Sequence, residues 1–324
     1  MKEYVFLILV TLAEATIGVF VKLVGDSVPI FTLNFYRVFF AFLFLLLVVP
    51  FIDKKFWKID KGDIKSVLII GALIALQISF FNIAMSMAPI ANVVIFWSVA
   101  PFFVFIFSTL FLKEKVKKEH VFIFLIAFIG ILIAKPLSGG NALGNIIALA
   151  DGAIYAALVT YMRHEGKTDS VNHVSWYMFM ACIYLSPALF IFGSGDITGF
   201  ISYQSLGIQV PVIVWIVCLG MISTGVAYFF ISLVLKKINA SVYSLVDIIV
   251  SPIVAAFFGY LVFNEIPGIN MAYGAALLLL SGFWLSNYMS GRKSHWYTRL
   301  LNRFTKKELP AEGKNPLVEN KQIK

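Results

Sequence analysis

The sequence predicts an all-α polytopic membrane protein: ten transmembrane helices as two inverted five-helix repeats, both termini cytoplasmic. Three observations carry that expectation. The 324 residues are 60% hydrophobic and only 13% charged, with mean hydropathy +0.90, whereas soluble domains average about 25% charged residues. Apolar runs of about 20 residues, enough for a helix to cross a hydrocarbon core, recur along nearly the whole chain. Two blocks of sequence repeat each other, and the basic loop beside the first has no basic counterpart beside the second. The apolar-polar alternation of a membrane β-barrel is absent.

The spans fall at 4–24, 29–51, 66–87, 89–112, 120–136, 143–163, 172–193, 209–235, 240–263 and 268–289, numbered α1 to α10 in chain order. The first contains "LVTLAEATIGVFVKLV", apolar except for Glu14 and Lys22. No small-residue cleavage site follows it, so it reads as a retained helix and not a removed signal peptide. The connections are mostly short and leave little room for a soluble domain. The remaining segment, 290–324, reads as a basic cytoplasmic tail. Its opening "RKSHWYTRLLNRF" suits either an interfacial helix, with Trp296, Leu300 and Phe304 on one side, or a solvated tail.

Orientation follows from Lys and Arg, which favour the cytoplasmic side. Of the 26 such residues, all but Lys22, Arg37 and Lys135 fall in segments that an inside N-terminus would place inside. The net charge of +9 is therefore a membrane-topology signal, and nucleic acid is not an expected partner. Cys182 and Cys218 lie within apolar runs and read as small core residues.

The repeat is explicit. "GALIALQISFFNIAMSMAPIANV" from Gly71 aligns without gaps on "GMISTGVAYFFISLVLKKINASV" from Gly220. The interval from Pro101 to Glu114 equals that from Pro252 to Glu265. The halves are expected at 4–136 and 143–289. An odd number of helices per half turns the second upside down, as the loops agree: "LKEKVKKEH" is basic, "FNEIPGIN" is not. Inverted repeats of this kind build transporters, with the substrate held near the midplane between two rocking halves.

At these residues the chain resembles the drug/metabolite transporter superfamily, specifically its EamA-type ten-helix permeases. "GMISTGVAYFF" and "INASVYSLVDIIVSPIVAAFFGYLVFNE" look like the end of an EamA unit; the first half matches more loosely. The resemblance implies secondary transport without ATP, often export, of amino acids or related small metabolites. It also implies a multi-pass protein of the cell membrane, of prokaryotic inner-membrane type. Such units often carry Trp-Gly in the middle of α1, where this chain has Glu14-Ala15. "AEATIGVFVK" is also similar to the Ala-Glu-x-x-Gly segment of small multidrug resistance proteins, with one more residue before Gly18. That likeness implies, as an alternative, proton-coupled efflux of cationic drugs.

The candidate site residues begin with the charges inside the spans. An ionised group at the bilayer centre costs about 2.5–3.5 kcal/mol without a partner or water. Counting about 1.5 Å per residue places Glu14 about 15 Å from the inner surface and Arg37 about 12 Å from the outer one. Across a core of about 30 Å the two lie at nearly one level. Asp151 on α6 aligns approximately with Glu14 on α1; Asp247 on α9 counts as shallower. Two readings compete. Arg37 and Glu14 form a fixed pair that specifies packing, with Asp151 bonded to Tyr155 or backbone. Alternatively, these groups line a central cavity in which a carboxylate exchanges a proton against substrate.

Polar and aromatic side chains complete the candidate set. In the first half these are Gln77, Phe81 and Asn82 on α3, with Asn92, Trp97 and Ser98 on α4. In the second half they are Tyr155, Trp176, Tyr177, Thr224, Tyr228 and Tyr243. An apolar cavity with a few polar anchors suits a small organic solute or cation, and for any single aromatic, ordinary helix packing competes. The histidines at 120, 164, 173 and 295 show no metal-ligand spacing, and no phosphate-binding Gly-rich loop is present. No cofactor is expected. The expected partners are a small-molecule substrate, protons and the lipid bilayer. An intramembrane lipid-modifying enzyme would need a nucleophile and base, or a metal, near the membrane surface, and the sequence offers neither.

Overall fold

Lipid offers the backbone no hydrogen-bond partner, so a chain this apolar satisfies its amides within helices. The computed structural model describes residues 2–52, 58–88, 90–134, 141–165, 172–193, 197–203, 208–263 and 268–289. The tail and Lys54, Lys55, Lys135, Lys167, Asp196 and Glu265 lie outside the described residues. The chain is an all-α membrane protein.

Its helical runs are α1 (Lys2–Ala15 and Ile17–Val24), α2 (Ile30–Ile52), α3 (Ile64–Met87), α4 (Ile90–Trp97 and Ala100–Leu112) and α5 (Lys118–Ala134). The second series is α6 (Ala142–Glu165), α7 (Asn172–Phe192), α8 (Val212–Val234), α9 (Ala240–Phe263) and α10 (Ile269–Met289). Among the described residues, eight of these helices are long and apolar enough to cross a membrane: α1 to α4 and α6 to α9. Residues 1–282 form one compact unit.

Three irregularities depart from the expected unbroken spans. α1 breaks at Thr16, whose hydroxyl donates to Ala13 O at 2.6 Å. α4 breaks at Ser98–Val99, where the Ser98 hydroxyl bonds back to Val94 O at 2.6 Å. Such back-bonds compete with the helix ladder. In α8, Leu219–Val226 is π-helical. A fourth difference lies before α8: Phe200–Tyr203 (β1) and Ile208–Pro211 (β2) pair antiparallel, with Phe200 opposite Pro211, so α8 begins at Val212.

The core is built from stripes at helical spacing: Val38, Ala41, Leu45 and Val49 on α2, and Ile70, Ile74 and Ile78 on α3. Lipid tails are as apolar as these side chains, so close packing, more than escape from water, holds membrane helices together. Gly71 shows how close. A Cβ there would meet Met180 Cβ, Tyr177 O and Ala181 N of α7. A Cβ at Gly220 would meet Phe40 Cβ, Arg37 O and Ala41 N of α2. The two aligned glycines thus rest on neighbours with the same spacing, which sets Arg37 in correspondence with Tyr177.

At the C-terminus of α4, Lys113 adopts a left-handed φ of 54° and the Glu114 amide donates to Ser108 O at 3.1 Å. This closing turn directs Glu114 at Arg163 on α6. The Arg163 guanidinium donates to Glu114 Oε1 at 3.1 Å, to Leu235 O, and to Asn239 Oδ1 at 3.4 Å. One side chain therefore ties together the ends of α4, α6 and α8 and the start of α9.

Candidate functional site

Glu14 is the next-to-last residue of the first α1 segment, two residues before the break at Thr16. Ser223, within the π segment of α8, lies 2.6 Å from the Thr16 hydroxyl. Because Thr16 spends its proton on Ala13 O, Ser223 is the donor. Two backbone irregularities from opposite halves thus meet two residues along the chain from Glu14.

From α9, Tyr243 OH lies 3.4 Å from each Glu14 oxygen. One turn further along α9, Asp247 accepts from Tyr155 OH at 2.7 Å and from Ser251 Oγ at 2.6 Å. The Tyr155 and Tyr243 hydroxyls are 3.5 Å apart. Glu14 and Asp247 themselves come within hydrogen-bonding reach. Residue counting sets Asp247 shallower than Glu14, but it ignores helix tilt and the length of the Glu side chain.

Arg37 is buried in α2 and donates from Nε to Thr224 Oγ1 at 2.8 Å. Thr224 in turn donates to Leu219 O at 3.1 Å, five residues back, inside the π segment. A π turn shifts side-chain direction by a fraction of a turn, and such turns are frequent at functional sites. Here it points a hydroxyl at the buried guanidinium. Arg37 stands within electrostatic reach of Glu14, Asp151 and Tyr228.

Asp151 is fully buried on α6, and neither carboxylate oxygen has a well-formed hydrogen bond. Gln77 of α3 approaches it without completing that geometry. Beside it, Gly152 packs against the Trp97 carbonyl, and the Trp97 ring lies 5.2 Å from that of Tyr155. The structure therefore gathers Glu14, Arg37, Gln77, Trp97, Asp151, Tyr155, Thr224, Tyr228, Tyr243 and Asp247 into one linked neighbourhood.

The remaining candidates are placed differently. Asn82 donates to Asn34, joining α3 to α2. Phe81 packs on a small cluster with Ala84, Ala88 and Ala148. Asn92 is buried, and Ser98 bonds its own helix. Trp176 lies edge-on to Phe179, and Tyr177 packs near His173, whose Nε2 is 3.3 Å from Asp63 Oδ2. Lys22 sits over the Phe263 ring at 4.2 Å. Thr16, Ser223 and Ser251 escaped the sequence reading, although Ser251 stands at the i+4 position from Asp247.

Chemically, the neighbourhood offers two carboxyls within hydrogen-bonding reach of each other, a third without a well-formed hydrogen bond, and one guanidinium, walled by tyrosines. Among the described residues, no group of three or more His, Cys, Asp or Glu could hold a metal.

The model of the EamA-like transporter family matches residues 1–134 and again 142–287. The chain belongs to the EamA-like transporter family. It is 27% identical over 228 residues to a riboflavin transporter of Brucella anthropi, covering 68% of this chain and 75% of that protein. It is 24% identical to the uncharacterized transporter YoaV of Bacillus subtilis, over 90% of this chain and 99% of the relative. The pseudopaline exporter CntI of Pseudomonas aeruginosa is 23% identical over 56% of this chain and 65% of its own. A solved crystal structure superposes with TM-score 0.76 at 14% identity, over 90% of this chain and 99% of the other, a likeness of fold. This EamA-like chain is thus a multi-pass transporter of the plasma membrane.

Proposed function

We propose that the protein is a secondary transporter that exports small organic metabolites by alternating access, with the Glu14–Asp247 pair carrying a coupling proton. The observation behind this reading is the contact between carboxyls from α1 and α9, helices of opposite halves. Two adjacent carboxyls in a low dielectric cannot both hold full charge, so one retains a proton. The pair is then a proton site whose occupancy depends on how the halves meet. Relatives named for riboflavin and pseudopaline transport support a small organic cargo.

The test uses purified protein in liposomes, with a transported solute first selected by thermal stabilisation. Glu14→Gln keeps the shape of the side chain and should fold. It should abolish accumulation driven by a pH gradient while sparing downhill exchange. Wild-type accumulation by Glu14→Gln would exclude Glu14 as the proton carrier.

A further inference from the structure

The repeat register that aligns Glu14 with Asp151 gives the two acids equivalent positions, yet their surroundings differ. Glu14 has Tyr243 as a hydroxyl neighbour and Asp247 as a carboxyl partner. Asp151 instead has the Gln77 amide approaching it and Arg37 within electrostatic reach. Neither of its oxygens has a well-formed hydrogen bond, and the residue is fully buried.

A second orphan lies alongside. The Trp97 indole N–H is buried without an acceptor. Its backbone touches Gly152 and its ring packs on Tyr155, one residue and one turn along α6 from Asp151. Buried polar groups are almost always partnered, and an orphan calls for a specific explanation. Here a carboxylate without a well-formed hydrogen bond and a donor without an acceptor flank the same stretch of α6, beside the Trp97 and Tyr155 rings. An organic ammonium fits that combination: the carboxylate takes the charged N–H groups, and the aromatic faces favour the cation.

We infer that Asp151 is the substrate anchor, receiving a protonated amine of the cargo, while Glu14 and Asp247 hold the proton. Duplication supplied two acids at approximately equivalent positions, and their different neighbours divided the tasks. The inference rests on the transport reading above but concerns a different residue, so the two can fail separately.

The probe is radiolabelled phenethylamine, with neutral 2-phenylethanol as competitor, measured by equilibrium binding to the full chain in nanodiscs. Wild-type protein should bind phenethylamine at millimolar concentration, undisturbed by 2-phenylethanol. Asp151→Asn should weaken binding about thirtyfold or more, as expected when one partner of a buried charged pair is removed. Gly18→Ala, where an added Cβ meets nothing within 4 Å, should bind like wild type. Wild-type affinity in Asp151→Asn, no binding to the wild type, or equal loss in Gly18→Ala would each overturn the assignment. Should Asp151→Asn not fold, the wild-type protein carries the test through a lipid-soluble carbodiimide. Phenethylamine should protect Asp151 from modification and leave Glu14 reactive; the opposite pattern overturns the assignment. Accumulation by Glu14→Gln, by contrast, would sink only the proton role of the acid pair.

Discussion

Tyr155 ends in a hydroxyl that donates to Asp247 and sits beside the hydroxyl of Tyr243. Tyr155→Phe keeps the ring against Trp97 but leaves Asp247 with Ser251 as its hydroxyl donor. Stripping one donor from a buried acid costs about 1–3 kcal/mol, so the variant should denature earlier in mild detergent. It should also accumulate less substrate under a pH gradient than wild type. Unchanged stability and accumulation would mean that the Tyr155–Asp247 bond is incidental. At this scale the sequence singled out several of the residues that the structure brings together. Glu14, Arg37, Asp151 and Asp247 stand out because an acid or base in an apolar run is costly and must be explained. Their partnerships were not legible. The Arg37–Thr224 bond depends on side-chain direction within a π turn, and the Glu14–Asp247 contact depends on tilt, neither of which residue counting resolves.

Between neighbouring helices, the decisive positions are glycines. A Cβ at Gly220 would come 2.6 Å from Phe40 Cβ and 2.7 Å from Arg37 O. The second of these is backbone and cannot swing aside. Gly220→Ala should therefore force α8 away from α2 and destabilise the fold by about 1–3 kcal/mol, the usual cost of overpacking. Because Arg37 is on that contact, transport should fall as well. Gly18→Ala is the control: nothing lies within 4 Å of its Cβ, and Ala is the better helix former by about 1 kcal/mol. Thermal melts of the purified variants decide it, and equal melts for the two would refute the close-contact account. The spans themselves were legible, since length and apolarity define them. The break at Thr16, the π segment at Leu219–Val226 and the β1–β2 hairpin were not. A one-residue change in backbone hydrogen-bond register leaves the apolar pattern of a helix untouched.

For the whole molecule, the distribution of Lys and Arg predicts an orientation, and the expected outcome is directly measurable. Single cysteines at Lys115 and Lys237 should react with an impermeant thiol reagent from the cytoplasmic side alone, and one at Gly268 from the outside alone. Labelling of Lys115 and Gly268 positions from one side would refute inversion. The duplication was readable in sequence as aligned blocks, and the matching seats of Gly71 and Gly220 on α7 and α2 give it a physical form. The distribution of helix breaks between the halves is not symmetric. α1 is interrupted at Thr16 and α8 is π-helical over Leu219–Val226, while their counterparts α6 and α3 run as unbroken α-helix. α4 is interrupted at Ser98–Val99, and α9 is continuous through the equivalent Ile249–Val250. A machine that reverses by letting its halves trade conformations must trade these faults too. If the protein alternates as proposed, α1, α4 and α8 would heal in the opposite-facing state. α6 would then open near Ala153, α3 would take up the wide turn across Ile70–Gln77, and α9 would part just ahead of Pro252. The moving parts of such a cycle would be peptide hydrogen bonds that migrate from one half to the other, carrying Asp151 and Ala75 into the positions that Glu14 and Thr224 occupy now.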